Sequence, residues 1–534
     1  MKRLLALALL LPALAHAEPQ QMVAAAHPLA VEVGLDALRR GGTAVDAAVA
    51  VQMMLGVVEP QASGVGGGGF LLYYDAETRG ITVYDGRETA PAGATATMFL
   101  RDGRPLPYPE AQASGLSVGV PGAVALLEMT HKEHGKLPWA DLFTTSIATA
   151  RKGFPMPPRL ALSFERSPAM RAMFSIGPDN TVANPALADT MQRIASEGSQ
   201  VLQEGPIAEE MAAHVRGNVR PGTLAVSDLA AYKPIKREAL CGPYRVWIVC
   251  GMPPPSSGGI AMLQMLGLLE PFDLRQDRPN NLRSLHLIAE AGRLAFADRA
   301  RYVADPAFTA VPTKQLVSPG YIAERRKLIS EDRSMGGHEP VDPGYVEHGT
   351  SHMTIVDRAG NAVAFTTTVE GPFGAHMMAG GFILNNELTD FSPVPERNGK
   401  PVANRVEPGK RPRSSMSPTF VLDQDRKLVL SVGSAGGQRI IGDTFQALIA
   451  MLDWNLGPQA ALDLPRVANM NGPTELEDKG DLPAQADALR KLGHQVQVRR
   501  HEGGLTAIRR VTRPGGDGWE GGADPRRDGV AKGE

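Results

Sequence analysis

The sequence predicts an α+β fold, antiparallel sheet covered by helices, on three observations. Segments of helical periodicity alternate in blocks with pairs of strand-like segments, the strand pairs are joined by short turns, and 43% of the 534 residues are hydrophobic against 21% charged, enough for a large core. Gly 58 and Pro 43 with only 5% aromatics favour tight turns and close backbone contacts. The 55 Lys and Arg against 57 Asp and Glu leave a net charge of −2 without long runs of one sign, which argues against nucleic acid or an anionic membrane surface as a partner. No fixed-period repeat is present, which excludes a solenoid or propeller.

Taken in order, residues 1–17 come first: Lys2 and Arg3 precede an apolar run over 4–14 that ends in Ala15-His16-Ala17. This is the pattern of a cleaved secretory signal, and the run is too short for a membrane span, which needs roughly twenty residues. An exported chain beginning at Glu18 is expected, periplasmic or secreted, with no membrane span. Helical periodicity then covers 28–40 and 43–58, with Gly41-Gly42 between them, followed by a glycine-rich turn and strands near 70–74 and 81–84. The stretch 137–232 is mostly helical with proline breaks at 155–158, and another helix covers 282–301. Beyond Gly349 the pattern turns to hairpins, 351–357 with 361–368 and 419–422 with 428–432. A helix over 437–452 then places Ile441, Phe445, Leu448, Ile449 and Leu452 on one face. Cys241 and Cys250 are the only cysteines. An exported compartment permits a disulfide, but residues 244–249 read as a strand leading from the first toward the second, which would hold their Cα atoms beyond the roughly 7 Å limit for a bridge, so two buried free thiols are the preferred reading.

Several motifs carry no chemistry. Gly64-Val65-Gly66-Gly67-Gly68-Gly69 satisfies G-x-G-x-x-G but follows a helix and opens a strand, the reverse of the order that aims a helix N-terminus at a pyrophosphate. There is no P-loop, no H-E-x-x-H and no C-x-x-C pair. His131 and His134 read as a solvated helix face without a third ligand. No metal and no cofactor are expected.

One constellation remains. The turn Arg358-Ala359-Gly360 suits a three-residue hairpin loop with Gly360 in the left-handed position. Pairing Asp357 with Asn361 and counting back along both strands places Thr350 opposite Thr368 on one face, Cβ atoms roughly 5 Å apart, where one hydroxyl can orient the other. Gly433-Ser434-Ala435-Gly436-Gly437 joins a strand to a helix start, where free backbone N–H groups make a plausible oxyanion hole. An ordinary strand threonine and a tight glycine turn would account for the same spacing.

The segments 64–70, Asp85-Gly86-Arg87-Glu88-Thr89-Ala90-Pro91, 252–259, Gly349-Thr350-Ser351-His352, 411–418 and Ala523-Asp524-Pro525-Arg526-Arg527 together resemble the gamma-glutamyltransferase family, in that family's order and over nearly the whole chain. The resemblance implies a four-layer αββα sandwich of the N-terminal nucleophile hydrolase type and a precursor that cuts itself between Gly349 and Thr350. It implies a large subunit, 18–349, and a small one, 350–534, folded as one unit. The freed α-amino group, with an ordinary pKa of about 7.7 to 8.0, would serve as base for the Thr350 hydroxyl beside it.

By the same resemblance Thr368 orients the nucleophile and Gly436 and Gly437 form the oxyanion hole. Arg87, Ser414 and Ser415 would bind the donor's α-carboxylate, and Glu387 and Asp390 its α-ammonium. The donor would be a small gamma-glutamyl amide such as glutathione, and the acceptor water, an amino acid or a peptide. Two features depart from the family. Glu370 stands where an asparagine usually helps bind the ammonium and, two residues beyond Thr368, is expected on the same strand face, and the lid-like loop 393–409 is short and lacks tyrosine. An acylase for another amide, of glutaryl or cephalosporin type, is the enzymatic alternative, and a non-catalytic exported scaffold the alternative from another class.

Overall fold

The computed structural model describes residues 18–336, 349–513 and 516–534, so the expected signal over 1–17 lies outside the described residues. Among those described, no helix is long and apolar enough to cross a membrane. Two sheets dominate. In chain order their strands are β1 (Met22–Ala25), β2 (Gly68–Asp75), β3 (Gly80–Asp85), β4 (Ile235–Glu238), β5 (Leu240–Tyr244), β6 (Trp247–Gly251), β7 (Ser351–Val356), β8 (Ala362–Thr368), β9 (Thr419–Leu422), β10 (Leu428–Gly433), β11 (Thr506–Arg513), β12 (Gly516–Ala523) and β13 (Val530–Gly533). The first sheet runs β13-β1-β7-β8-β2-β3-β4 and the second β5-β6-β9-β10-β11-β12, antiparallel throughout. Segments before 349 and after it interleave in both sheets, so they make one folded unit.

Period-two alternation sorts the side chains into layers. Leu71 and Tyr73 of β2, with Met353, Ile355, Val363 and Phe365, face α1 (Pro28–Arg39) and α2 (Ala44–Val58). Phe70 and Leu72, with Ala362 and Ala364, point the other way, onto Phe420, Leu422, Leu428 and Ile508 of the second sheet. Val421, Leu430 and Val432 face α3 (Gly258–Leu269), α4 (Leu282–Tyr302) and α5 (Arg439–Leu452). Helix, sheet, sheet and helix are the four layers of the αββα sandwich. With both faces of each sheet covered, β7 and β8 are buried along their whole length.

Local chemistry sets the element ends. Thr43 and Asp46 form a capping box at the start of α2. Helix α5 starts at Arg439 instead of Gly437, because Gly436 and Gly437 take φ of +123° and +63°, outside the helical region.

Two expectations are corrected here. Cys241 and Cys250 form a disulfide. The reading of 244–249 as one strand missed a turn at Arg245, φ +53°, that folds β5 back on β6 and sets the cysteines opposite each other with Cα atoms 4.1 Å apart. That turn has neither Gly nor Pro; it is held by the Arg245 guanidinium, which donates to the Asp453 carboxylate and the Phe272 carbonyl. His131 and His134 are not on a solvated face. His134 stacks on Tyr73 with ring centroids 3.9 Å apart and meets the Tyr84 hydroxyl at 2.7 Å, fastening their helix to the first sheet, and His131 approaches Asp46 at 3.2 Å, fastening it to α2. The stretch 137–232 is mostly helical, as expected, with a small three-stranded sheet among its helices.

Candidate active site

The β7–β8 hairpin has the register counted from its turn, Ser351 opposite Thr367 and Val356 opposite Ala362, with Gly360 at φ +88°. Thr350 therefore meets Thr368, their Oγ1 atoms 3.1 Å apart, and both residues are buried. The Glu370 amide donates to Thr368 Oγ1 at 2.8 Å, fixing that hydroxyl from behind. Thr350 has φ +137°, a strained conformation for a β-branched residue. A Cβ on Gly349 would lie 2.1 Å from the Glu370 carbonyl oxygen, so only glycine fits before it. On the far side Arg527 Nη1 donates to the Thr350 carbonyl at 2.6 Å.

The glycine loop 433–437 leaves β10 and is pinned by reciprocal backbone bonds between Ala435 and Gly504, each 3.2 Å. It is also tied to β7. A Cβ at Gly433 would stand 2.3 Å from His352 Cε1, so the imidazole packs directly on the glycine. His352 Nδ1 meets Thr366 Oγ1 at 2.8 Å, and burial alone pushes the ring down to about 3, so it is neutral. These contacts hold the turn bearing Gly436 and Gly437 in register with the strand that carries Thr350.

A buried charge cluster lies where β3 ends. Arg87, fully buried, pairs through Nη1 with Glu387 and through Nη2 with Asp390, and donates to the carbonyls of Pro412 at 3.2 Å and Arg413 at 3.1 Å. The arginine assigned to a carboxylate and the acids assigned to an ammonium thus neutralise one another. Ser414 and Ser415 follow on the same segment: Ser414 Oγ accepts from the Met416 amide at 3.1 Å, and Ser415 Oγ accepts from Arg299 Nη2 at 2.7 Å. The loop over 393–409 is stitched to this cluster by Asn404, which donates to the Asp390 carbonyl at 2.7 Å and accepts from the Arg413 amide at 2.9 Å.

Glu370 does not continue the strand. β8 ends at Thr368 and Glu370 takes φ +76°, so its position follows from a backbone reversal and not from strand alternation. Its Oε2 accepts from the Tyr108 hydroxyl at 2.9 Å and from Asn386 Nδ2. Burial, reinforced by Asp390 and Glu387, holds its carboxyl well above the usual range. Burial also raises Glu387 against the pull of Arg87, and pushes Glu88, both of whose carboxyl oxygens lack a hydrogen-bond partner among the described residues, up to about 8. Several buried acids around one guanidinium thus hold one another's carboxyls above the ordinary range.

Outside the site, His286, Glu290 and His494 bring possible metal-ligand atoms within 4.8 Å of one another. They complete a hydrogen-bonded chain: His286 Nε2 donates to the Ser330 carbonyl, His286 Nδ1 meets His494 Nε2 at 2.7 Å, His494 Nδ1 meets Thr474, and Glu290 accepts from Ser334 and the Met335 amide. Sequence reasoning assigned no role to Glu88, Asn386, Arg527 or Tyr108. Glu88 and Arg527 lie inside the family-like segments and Asn386 directly precedes Glu387, whereas Tyr108, on the short helix Tyr108–Gln112, had no signal.

The comparisons with known proteins agree on one family. Its model, described as gamma-glutamyltranspeptidase, matches residues 30–534. A glutathione hydrolase proenzyme of Bacillus subtilis (strain 168) is 37% identical over 96% of this chain and 91% of its own. The acylase ACY 1 proenzyme of Pseudomonas sp. (strain SE83) is 35% identical over 91% and 89%. Among solved structures, the cephalosporin acylase from Bacillus halodurans superposes with a TM-score of 0.85 at 29% identity, covering 97% of this chain and 96% of that one.

Proposed function

The chain belongs to the gamma-glutamyltranspeptidase family, and from that premise we propose that it is an exported, self-processing gamma-glutamyltransferase and hydrolase, acting on amides such as glutathione through an acyl-enzyme on Thr350. The observation that carries this reading is the contact of Thr350 Oγ1 with Thr368 Oγ1, one residue after a position that only glycine can occupy.

In maturation the Thr350 hydroxyl attacks the Gly349 carbonyl carbon, the C–N bond breaks as the ester forms, the nitrogen takes the proton, and water then hydrolyses the ester. The strain at Thr350 favours a reaction that releases it. The products are 18–349 and 350–534, and the new α-amine is the base for the next reaction. The Thr350 hydroxyl attacks the donor's amide carbonyl, Thr368 orients it, and the Gly436 and Gly437 amides stabilise the oxyanion. The acyl group passes to water or to an amine. Donor binding is an exchange of partners: the α-carboxylate takes Arg87, aided by Ser414 and Ser415, while the α-ammonium takes Glu387 and Asp390. A zwitterionic head group thereby enters a buried cluster without adding net charge.

The deciding experiment is the denatured mass of the purified protein together with hydrolysis of a gamma-glutamyl anilide. Two fragments split at Gly349–Thr350, with turnover, are expected; a persistent full-length chain would contradict the proposal. Gly349→Ala should slow self-cleavage by at least about tenfold, since moving the clashing carbonyl costs more than ~1.4 kcal/mol in the reacting geometry. A time course of subunit formation checks this, and a wild-type rate would detach Gly349 from the reaction.

A second reading, an acylase for a glutaryl or cephalosporin-type side chain, is favoured by Glu370, which adds an acid where the family uses an amide, and by the two acylase relatives. Glu370→Asn separates the readings through kcat/KM on the gamma-glutamyl anilide and on a glutaryl analogue lacking the amine. Gamma-glutamyl specificity predicts that hydrolysis survives, because asparagine restores the amide that the family carries at this position; a ratio unchanged by the substitution would mean that Glu370 does not read the α-amine. The same variant has a stability signature. A carboxyl raised on folding stabilises most below its ordinary value of about 4.5, and this contribution is lost as pH rises toward the folded value. Glu370→Asn should therefore raise Tm at pH 8 relative to wild type but not at pH 4.

A further inference from the structure

Arg527 is a buried cation whose hydrogen-bond acceptors are both neutral carbonyls, Thr350 O at 2.6 Å and Glu502 O at 3.4 Å, while its Nε has no partner among the described residues. The guanidinium lies flat against Gly504, where a Cβ would come within 2.5 Å of Nε. The acids around it are each engaged elsewhere. Glu59, at the end of α2, is bound by Arg159 and by the Ser351 hydroxyl, Glu502 is met by Arg166 at 3.5 Å, and Asp524 is paired with Arg526 at 2.8 Å. His352, the nearest imidazole on β7, is neutral, and the Glu370 carboxyl points away toward Tyr108 and Asn386. A positive charge that Glu59, Asp524 and Glu502 offset only from a distance, with no carboxylate hydrogen-bonded to it among the described residues, therefore sits at the Thr350 carbonyl, close to the nitrogen of Thr350.

We propose that Arg527 is a positioning residue for Thr350 that also keeps the freed α-amine in its basic form. Through the carbonyl it holds Thr350 in its strained backbone conformation for self-cleavage. After cleavage, the same charge disfavours a second cation, the α-ammonium, so the amine sheds its proton at lower pH than an ordinary chain terminus. Burial and then the charge of Arg159 push the guanidinium itself down to about 9, which leaves it positive at neutral pH. The inference rests on the reading of Thr350 as the nucleophile.

The pH dependence of kcat/KM for a gamma-glutamyl anilide tests it on the mature protein. The acid limb of the wild type is expected below pH 7, whereas an ordinary α-amine titrates at about 7.7 to 8.0; a limb at or above that range overturns the proposal. In Arg527→Gln the limb should move up by about one unit, giving roughly tenfold lower kcat/KM at pH 6 and little change at pH 9. Arg527→Lys, which retains the charge, should restore the limb even if maturation is slowed. A glutamine variant with the wild-type limb overturns the electrostatic role. Should that variant stay uncut, the wild-type limb decides by itself. Failure of the underlying reading is distinguishable, because it would appear as a persistent full-length wild-type chain or as self-cleavage without the Thr350 hydroxyl.

Discussion

Thr350→Ala is expected to yield a single uncut chain with no gamma-glutamyl hydrolysis above background, a loss on the order of 10⁴-fold or more. Alanine keeps the backbone position and removes the one hydroxyl that both reactions use. The hydrogen bond removed with it, Thr350 Oγ1 to Thr368 Oγ1 at 3.1 Å, joins two neutral groups and contributes about 1 kcal/mol net to stability, so the precursor should still fold. Thr350→Ser, which retains a hydroxyl there, should preserve part of both functions. Denatured mass and anilide hydrolysis measure the pair, and a Thr350→Ala protein that matured into two chains would refute the assignment.

Arg87→Lys should leave the subunits formed normally and raise KM for a gamma-glutamyl donor by roughly 10- to 150-fold, the equivalent of a charged hydrogen bond at about 1.5–3 kcal/mol. The guanidinium serves two carboxylates and two backbone carbonyls at once, from three nitrogens set in a plane. A lysine ammonium is a single point and cannot reach them all. The unliganded protein should also lose Tm, because Glu387 or Asp390 is left without its cation in a buried cluster. An unchanged KM would remove Arg87 from donor binding.

Much of the scaffold around this site was legible locally. The alternation of apolar residues placed β7 and β8, and the turn at Gly360 with its left-handed glycine set their register, so the encounter of Thr350 with Thr368 could be counted out along the chain. Local legibility ended where the backbone departs from regular geometry. Glu370 was assigned a face by strand periodicity, but its φ of +76° breaks that periodicity two residues past Thr368. The turn between β5 and β6 has no Gly or Pro to announce it, and the disulfide it creates was missed.

The sequence by itself determined the alternation of helices with strand pairs, the hairpin register and each of the family's motifs, since each is carried by residues within a few positions of one another. The tertiary structure alone decided which charges meet and which are offset only from a distance. Arg87 finds Glu387 and Asp390 some 300 residues away, and Arg527 reaches the Thr350 carbonyl across 177. The upward shift of the Glu88 and Glu370 carboxyls depends on burial by elements remote in the chain. Coulombic interaction and desolvation depend on distance in space, and in the low-dielectric interior they act strongly between groups that no local pattern links.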